Sequence, residues 1–192
     1  MSLFALVGLG GTAVGLARGG RLRRLLALRL RAAPLAFACL GAQLALGVGG
    51  GSPPPVLRDA VVVASYAGIG LWLVLNARSQ RDGLRLAFVV LAAGWLLNVV
   101  PMALNDGMPV SAAALRAAGA SGEEVDEGNL WKHVPATSST EAAWLGDVIP
   151  VAPARAVISV GDVVLLAGVG AVVALALSAG PASGSPVATR AA

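Results

Sequence analysis

Few side chains of this chain could combine in acid–base chemistry, and three of them lie in its last third. His133 is the only histidine, and Asp147 and Asp162 complete the two Gly-Asp pairs of the stretch WLGDVIPVAPARAVISVGD. Two carboxylates and an imidazole could exchange protons with a substrate if the fold brought them together. No nucleophile–base pair or metal-ligand spacing accompanies them. We therefore expect no catalytic residue and no metal site, and the sequence identifies no cofactor.

The composition requires a bilayer around the chain. Of 192 residues, 57% are hydrophobic and 12% are charged, and the mean hydropathy is +0.80. Soluble domains have about 45–50% apolar and about 25% charged residues. The single cysteine, Cys39, excludes an internal disulfide and falls in an apolar run. The arginines are sorted along the chain by membrane side, so they do not indicate nucleic-acid binding.

Five apolar stretches approach the length of about 20 residues that a spanning helix needs. They cover residues 2–17, 32–48, 60–77, 84–104 and 156–177. The predicted fold class is an all-α integral membrane protein, a bundle of about five transmembrane helices in a single domain, residues 1–178. An external segment, residues 105–155, separates helices four and five. Residues 179–192, rich in Ala, Ser, Gly and Pro, are predicted to be a disordered cytoplasmic tail.

The charge distribution predicts the orientation. With five spans, the loops at residues 18–31 and 78–85 share one side with the C-terminal tail. That side carries ten arginines and a single acid, Asp82. By the positive-inside rule, the N-terminus lies outside and the C-terminus lies in the cytoplasm of a bacterial cell membrane.

Glycines at spacing four in the first span predict close helix packing. Gly11, Gly15 and Gly19 would fall on one helix face, where small residues let two backbones approach. The sequence around these glycines also resembles a dinucleotide-binding loop, but such a loop follows a β-strand in a soluble βαβ unit.

Polar residues occur where the fourth span ends. Asn98, Pro101 and Asn105 have roughly helical spacing, and the proline frees a backbone carbonyl that lipid cannot satisfy. Two interpretations follow. The amides could form interhelical hydrogen bonds, or they could line a polar cavity that opens outward.

The external segment offers local signals. Ser111 before AAALRAA predicts a capped short helix. His133, beside Lys132, could be an interfacial anchor. Residues 144–155, with Pro150 and Pro153, are expected to run extended along the outer interface or to re-enter the membrane. Ser159 and Asp162 fit the capping box that opens a helix, although an aspartate in apolar surroundings is also a candidate functional group.

The order of these motifs resembles a known family. The carrying motifs are GGR after span one, Asn98-x-x-Pro101, Asn105-x-Gly107-Met108-Pro109-Val110, Lys132-His133, LGDVIP and SVGD. Together they resemble the bacterial multi-pass membrane family catalogued as domain of unknown function 5317, over nearly the whole chain except the tail. The family often has two glycines after the asparagine, whereas this chain has Asp106 and Gly107. The resemblance implies an integral membrane protein and supplies no activity.

Three functions remain open at this point. The first is a non-enzymatic membrane module whose external cap binds a membrane protein partner or a lipophilic small molecule. The second is a small transporter or channel component with a polar path at Asn98, Asn105, Asp147 and Asp162. The third is a membrane-embedded enzyme that uses Asp147, Asp162 and His133. The candidate binding residues, shared among these hypotheses, are Asn98, Asn105, Met108, Pro109, His133, Asp147, Ser159 and Asp162.

Overall fold

The computed structural model describes residues 3–48, 54–120 and 133–178, and these are mostly helical. The helices are α1 (Leu3–Ala17), α2 (Leu22–Leu26), α3 (Ala33–Val48), α4 (Pro55–Ser79), α5 (Asp82–Leu104), α6 (Ala112–Ala118) and α7 (Val160–Ser178). Among the described residues, α4, α5 and α7 are long and apolar enough to cross a membrane, and α3 is a shorter apolar helix. The acidic stretch and Lys132 at 121–132, and the tail at 179–192, lie outside the described residues.

The helices do not pack in chain order. α7, the last helix, lies between α1 and α5, while α5 packs on α4 and α4 packs on α3. The buried centre of the α4–α5–α7 part is formed by Leu73, Phe88 and Leu91. The indole ring of Trp72 meets the ring of Phe88 edge-on at a centroid distance of 5.8 Å.

Glycines set the contact between α1 and α7. A Cβ at Gly11 would lie 2.8 Å from the Gly170 carbonyl oxygen, and one at Gly15 would lie 2.7 Å from the Leu177 side chain. Gly19 differs from the expectation, because α1 ends before it and a Cβ there would meet nothing within 4 Å. It has φ +77°, so its role is to turn the chain after the helix.

Both arginine-rich loops meet at one end of the helices. The Arg31 amide donates to Asn76 Oδ1 at 2.9 Å, and Asn76 Nδ2 donates to the Arg31 carbonyl at 3.1 Å. The Arg21 amide donates to the Leu177 carbonyl at 3.2 Å, so the end of α7 lies there too. Asn76 is fully buried, and its place within an apolar stretch of the sequence did not predict this contact.

The chain between α5 and α7 folds back on itself. Strand β1 (Met108–Val110) pairs in parallel with β2 (His133–Pro135), and β3 (Ile149–Val151) pairs antiparallel with β4 (Ala156–Ile158). Helix α6 packs against β3 and β4. We call the described residues 105–120 and 133–159 the cap.

The sequence indicated the start of α6, and a turn with an unusual backbone conformation precedes β1. Ser111 Oγ accepts a hydrogen bond from the Ala114 amide at 3.3 Å, so the predicted capped helix is present as α6. Asp106 has φ +55°, a conformation that glycine adopts without strain and aspartate tolerates.

Two element boundaries differ from the expectation. α4 begins at Pro55 instead of residue 60, because proline is compatible with the first turn of a helix. The last helix begins at Val160 instead of residue 156, because Ala156–Ile158 pairs with β3 through a turn in which Arg155 has φ +47°. Residues 149–158 therefore form a hairpin, which satisfies backbone groups that a single extended segment would leave unpaired.

Candidate functional site

The C-terminal part of α5 and the start of α7 are joined by three polar side chains. Asn98 Nδ2 donates to Asp162 Oδ1 at 2.7 Å, and Ser159 Oγ donates to Asn98 Oδ1 at 2.7 Å. The Asp162 amide donates to Ser159 Oγ at 2.9 Å, and the Ser159 amide donates to Asp162 Oδ2 at 3.1 Å. The last two bonds are the predicted capping box. Asn98, on α5, forms hydrogen bonds with both residues of this box. The helix cap of α7 and the contact between α5 and α7 therefore form one hydrogen-bond network.

Two glycines allow this junction to be so close. A Cβ at Gly94 would lie 2.6 Å from the Leu165 amide nitrogen, and a Cβ at Gly161 would overlap the Asn98 side-chain oxygen. With hydrogen atoms at both positions, the backbones of α5 and α7 can approach until the polar side chains meet. The second Gly-Asp pair thus combines a close-contact residue with an anchoring carboxylate.

The first Gly-Asp pair is held in the cap by backbone bonds. The Asp147 amide donates to the Pro109 carbonyl at 2.8 Å, and the Ser111 amide donates to the Asp147 carbonyl at 3.0 Å. A Cβ at Gly146 would overlap the Pro109 carbonyl. Met108 is 6% exposed and Pro109 is fully buried, so these predicted binding residues form the interior of the cap.

The Asp147 side chain is buried beside two other titratable groups. Its exposure is 6%, and its Oδ2 lies 3.5 Å from His133 Nε2. Burial raises the pKa of this carboxyl to about 7, with a further contribution from the negative charge of Asp162. The fold therefore brings together His133, Asp147 and Asp162, which are far apart in sequence, and Asp147 can take up a proton near neutral pH.

Asn105 forms hydrogen bonds that are separate from those of Asn98. Its Nδ2 donates to the Pro101 carbonyl at 2.8 Å and the Glu141 carbonyl at 2.9 Å, and its Oδ1 accepts from the Glu141 amide at 2.9 Å. Asn105 thereby ties the end of α5 to the strand-free part of the cap. The two asparagines, both candidates for a polar path, are each occupied by separate structural bonds.

Tyr66 is a neighbour of the site that the sequence did not reveal. It lies on α4 within electrostatic range of Asp162. The sequence shows a tyrosine within an apolar stretch, but the stretch does not indicate which helix the tyrosine side chain faces. Among the described residues, no group of three or more His, Cys, Asp or Glu side chains is arranged to hold a metal ion.

Comparison with known proteins identifies a family and no activity. The model of the family of unknown function DUF5317 matches residues 28–174, which span α3 to α7 and include every residue of the candidate site. No curated protein and no solved structure matches the chain.

Proposed function

The chain belongs to the DUF5317 family, and we propose that it is a non-enzymatic membrane module whose external cap binds a membrane protein partner. The observation that carries this proposal is the junction of Asn98, Ser159 and Asp162. Each of these three residues forms hydrogen bonds with the other two, as residues that hold a structure in place do.

The expected five-span arrangement is part of the proposal. The arginine-rich loops gather at one end of the helices and the cap is joined to the ends of α5 and α7 that carry Asn98 and Asp162. This charge asymmetry supports an external cap, an outer N-terminus and a cytoplasmic C-terminus in a bacterial cell membrane. α1 and α3, with 15 and 16 residues, would span with help from flanking residues.

Trp144 offers the partner a contact surface. The short 3₁₀ helix Ala143–Leu145 packs on the ends of α5 and α7, with Leu145 buried and Trp144 67% exposed. Exposed aromatic side chains on a rigid support are enriched among residues that dominate binding energy. Because Trp144 lies beside the ends of α5 and α7, a partner within the same membrane could reach its indole ring. This position favours a membrane protein over a soluble protein as the partner.

The transporter and enzyme hypotheses draw on the same residues with less support. A polar path needs Asn98 and Asn105 on one surface, but they lie in separate contacts. An enzyme would rely on Asp147 and His133, whose raised carboxyl pKa suits proton exchange. Neither arrangement includes a nucleophile or a channel among the described contacts.

Site-specific photocrosslinking in intact cells tests the proposal. A photoreactive phenylalanine analogue replaces Trp144 in one variant and Arg116, an exposed residue of α6, in the matched control. We expect a protein adduct of one discrete mass at position 144 and none at position 116, because only the former is presented beside the membrane.

Two outcomes contradict partner binding. Adducts with lipid alone at position 144 would make Trp144 an interfacial anchor or part of a site for a lipophilic molecule. The same set of protein adducts at both positions would indicate random collisions.

A further inference from the structure

A groove runs along the contact between α1 and α7. It is a shallow, widely open depression with a volume of about 690 Å³, and its wall includes Gly10, Gly11, Val14, Gly170 and Ala171. Small-molecule sites in proteins have volumes of roughly 300–1,000 Å³, so the groove is large enough for an elongated ligand.

The groove exists because small residues flank the helix contact. α1 and α7 touch where Gly11 meets Gly170 and where Gly15 meets Leu177. Beside this line, a Cβ at Gly10 would meet nothing within 4 Å. The missing side chain leaves space that no other described residue fills.

A basic side chain closes one end of the groove. Arg18 follows the last residue of α1 and belongs to the groove wall. Its guanidinium forms no hydrogen bond or ion pair within the part of the chain that the structure describes, and it is exposed. Arg24, in the same loop, differs because its Nη1 donates to the Leu177 carbonyl at 3.4 Å.

We propose that this groove binds an anionic phospholipid of the leaflet on the arginine-rich side. One acyl chain lies along Gly10, Gly11 and Ala171, and the phosphate pairs with Arg18. The charge at the end of an otherwise apolar surface selects a lipid over an apolar helix, because a helix would leave the guanidinium without an anion. The inference rests on the membrane insertion proposed above, but not on partner binding by the cap.

Photolabelling with a defined lipid tests the site. The purified protein is reconstituted in vesicles of phosphatidylcholine with a minor share of phosphatidylglycerol that carries a diazirine in its acyl chain, and labelled peptides are quantified. We expect labelling to concentrate on α1 and α7. Gly10→Leu should bring it to background, because the new side chain occupies the groove.

Matched controls separate groove filling from general damage. Gly41→Leu places the same side chain on α3 at a position that is equally open to a Cβ but outside the groove, and it should leave the labelling of α1 and α7 unchanged. Ala171→Leu fills the groove from the α7 side and should repeat the Gly10→Leu result. If both groove variants unfold the protein relative to Gly41→Leu, Val14→Trp blocks the groove from its exposed rim.

The headgroup contact has its own test. Arg18→Gln should lower phosphatidylglycerol labelling about tenfold, which corresponds to about 1.4 kcal/mol. Labelling by the matching phosphatidylcholine should fall less, because its choline ammonium already offsets the charge of the phosphate. Arg78→Gln, an exposed arginine at the same end of the helices, should change neither.

The proposal is overturned if the groove-filling variants keep wild-type labelling, or if the two headgroups label α1 and α7 equally in the wild type. Failure of membrane insertion looks different, because labelling is then absent from α4 and α5 as well.

Discussion

At the scale of single residues, we expect a substitution of Asp162 to be tolerated only when Asn98 is substituted in the same variant. Both carboxylate oxygens accept hydrogen bonds, one from Asn98 Nδ2 and one from the Ser159 amide. An asparagine has a single acceptor oxygen, so it cannot replace both contacts. The simple cap inferred from the sequence would have tolerated Asp162→Asn, whereas the three-residue junction does not.

A swap of the two side chains gives a double-mutant test. Asp162→Asn should destabilise the protein by about 1–3 kcal/mol, because one donor then faces another. Asn98→Asp places two carboxylates together and should cost at least as much. The double variant restores every bond, since the carboxylate at position 98 then accepts from Ser159 Oγ and from the side-chain nitrogen at position 162, whose side-chain oxygen accepts from the Ser159 amide. Thermal unfolding in detergent micelles measures the coupling, and simple additivity of the two losses would contradict the network.

The buried carboxyl of Asp147 should make stability depend on pH. The folded-state pKa of about 7 exceeds the ordinary value of 3.8, so between these values the unfolded chain releases a proton that the folded protein retains. The free energy of unfolding should therefore fall as pH rises from about 4 to about 7, by up to the order of 4 kcal/mol, and level off above.

Unfolding of Asp147→Asn across the same pH range checks this sign. The amide stays neutral, so the variant should lose most of the pH dependence and should be the more stable protein at pH 8. Asp59→Asn, which alters an exposed carboxyl paired with Arg58, is the control and should keep the wild-type slope. A wild-type stability that rises through this range would show that Asp147 is ionised in the folded protein.

At the scale of elements, the approach of α5 to α7 depends on glycine. Gly161→Ala puts a methyl group where the Asn98 oxygen lies, so the helices must separate or the junction must break. We expect a loss of about 1–3 kcal/mol or more in unfolding free energy.

Gly41→Ala is the matched substitution for this prediction. It adds the same methyl group in the middle of α3, where nothing lies within 4 Å of the new Cβ. It should be neutral or slightly stabilising, because alanine favours helix more than glycine does. Equal losses from both variants would assign the effect to glycine's backbone freedom instead of the close approach.

At the scale of the whole molecule, the orientation can be measured directly. In a Cys39→Ala background, Arg23→Cys lies in an arginine-rich loop and Ser138→Cys lies on the cap, and both positions are exposed. A membrane-impermeant thiol reagent added to intact cells should label only position 138. Labelling of position 23 alone would reverse the proposed topology.

Much of the fold could be predicted because its signals are local. The apolar stretches, the Ser111 cap before α6 and the Ser159–Asp162 capping box each depend on residues a few positions apart. Hydropathy and hydrogen-bond spacing within one helical turn do not need the rest of the chain. The hairpin at 149–158 was harder, because apolar residues after Pro153 suit a strand as well as a helix.

The sequence by itself determined a mostly helical, apolar protein of this family, and it left Asp162 as either a helix cap or a functional group. Only the tertiary structure decided that α7 inserts between α1 and α5, that Asn98 bonds to Asp162, and that His133 and Asp147 meet. These contacts join residues far apart in the chain, 64 positions in the bond of Asn98 to Asp162 and more between α1 and α7, and they depend on which helix faces fit together closely. Composition along the chain records how apolar a segment is, but the shape and hydrogen-bond complementarity of two distant segments exists only once both are folded.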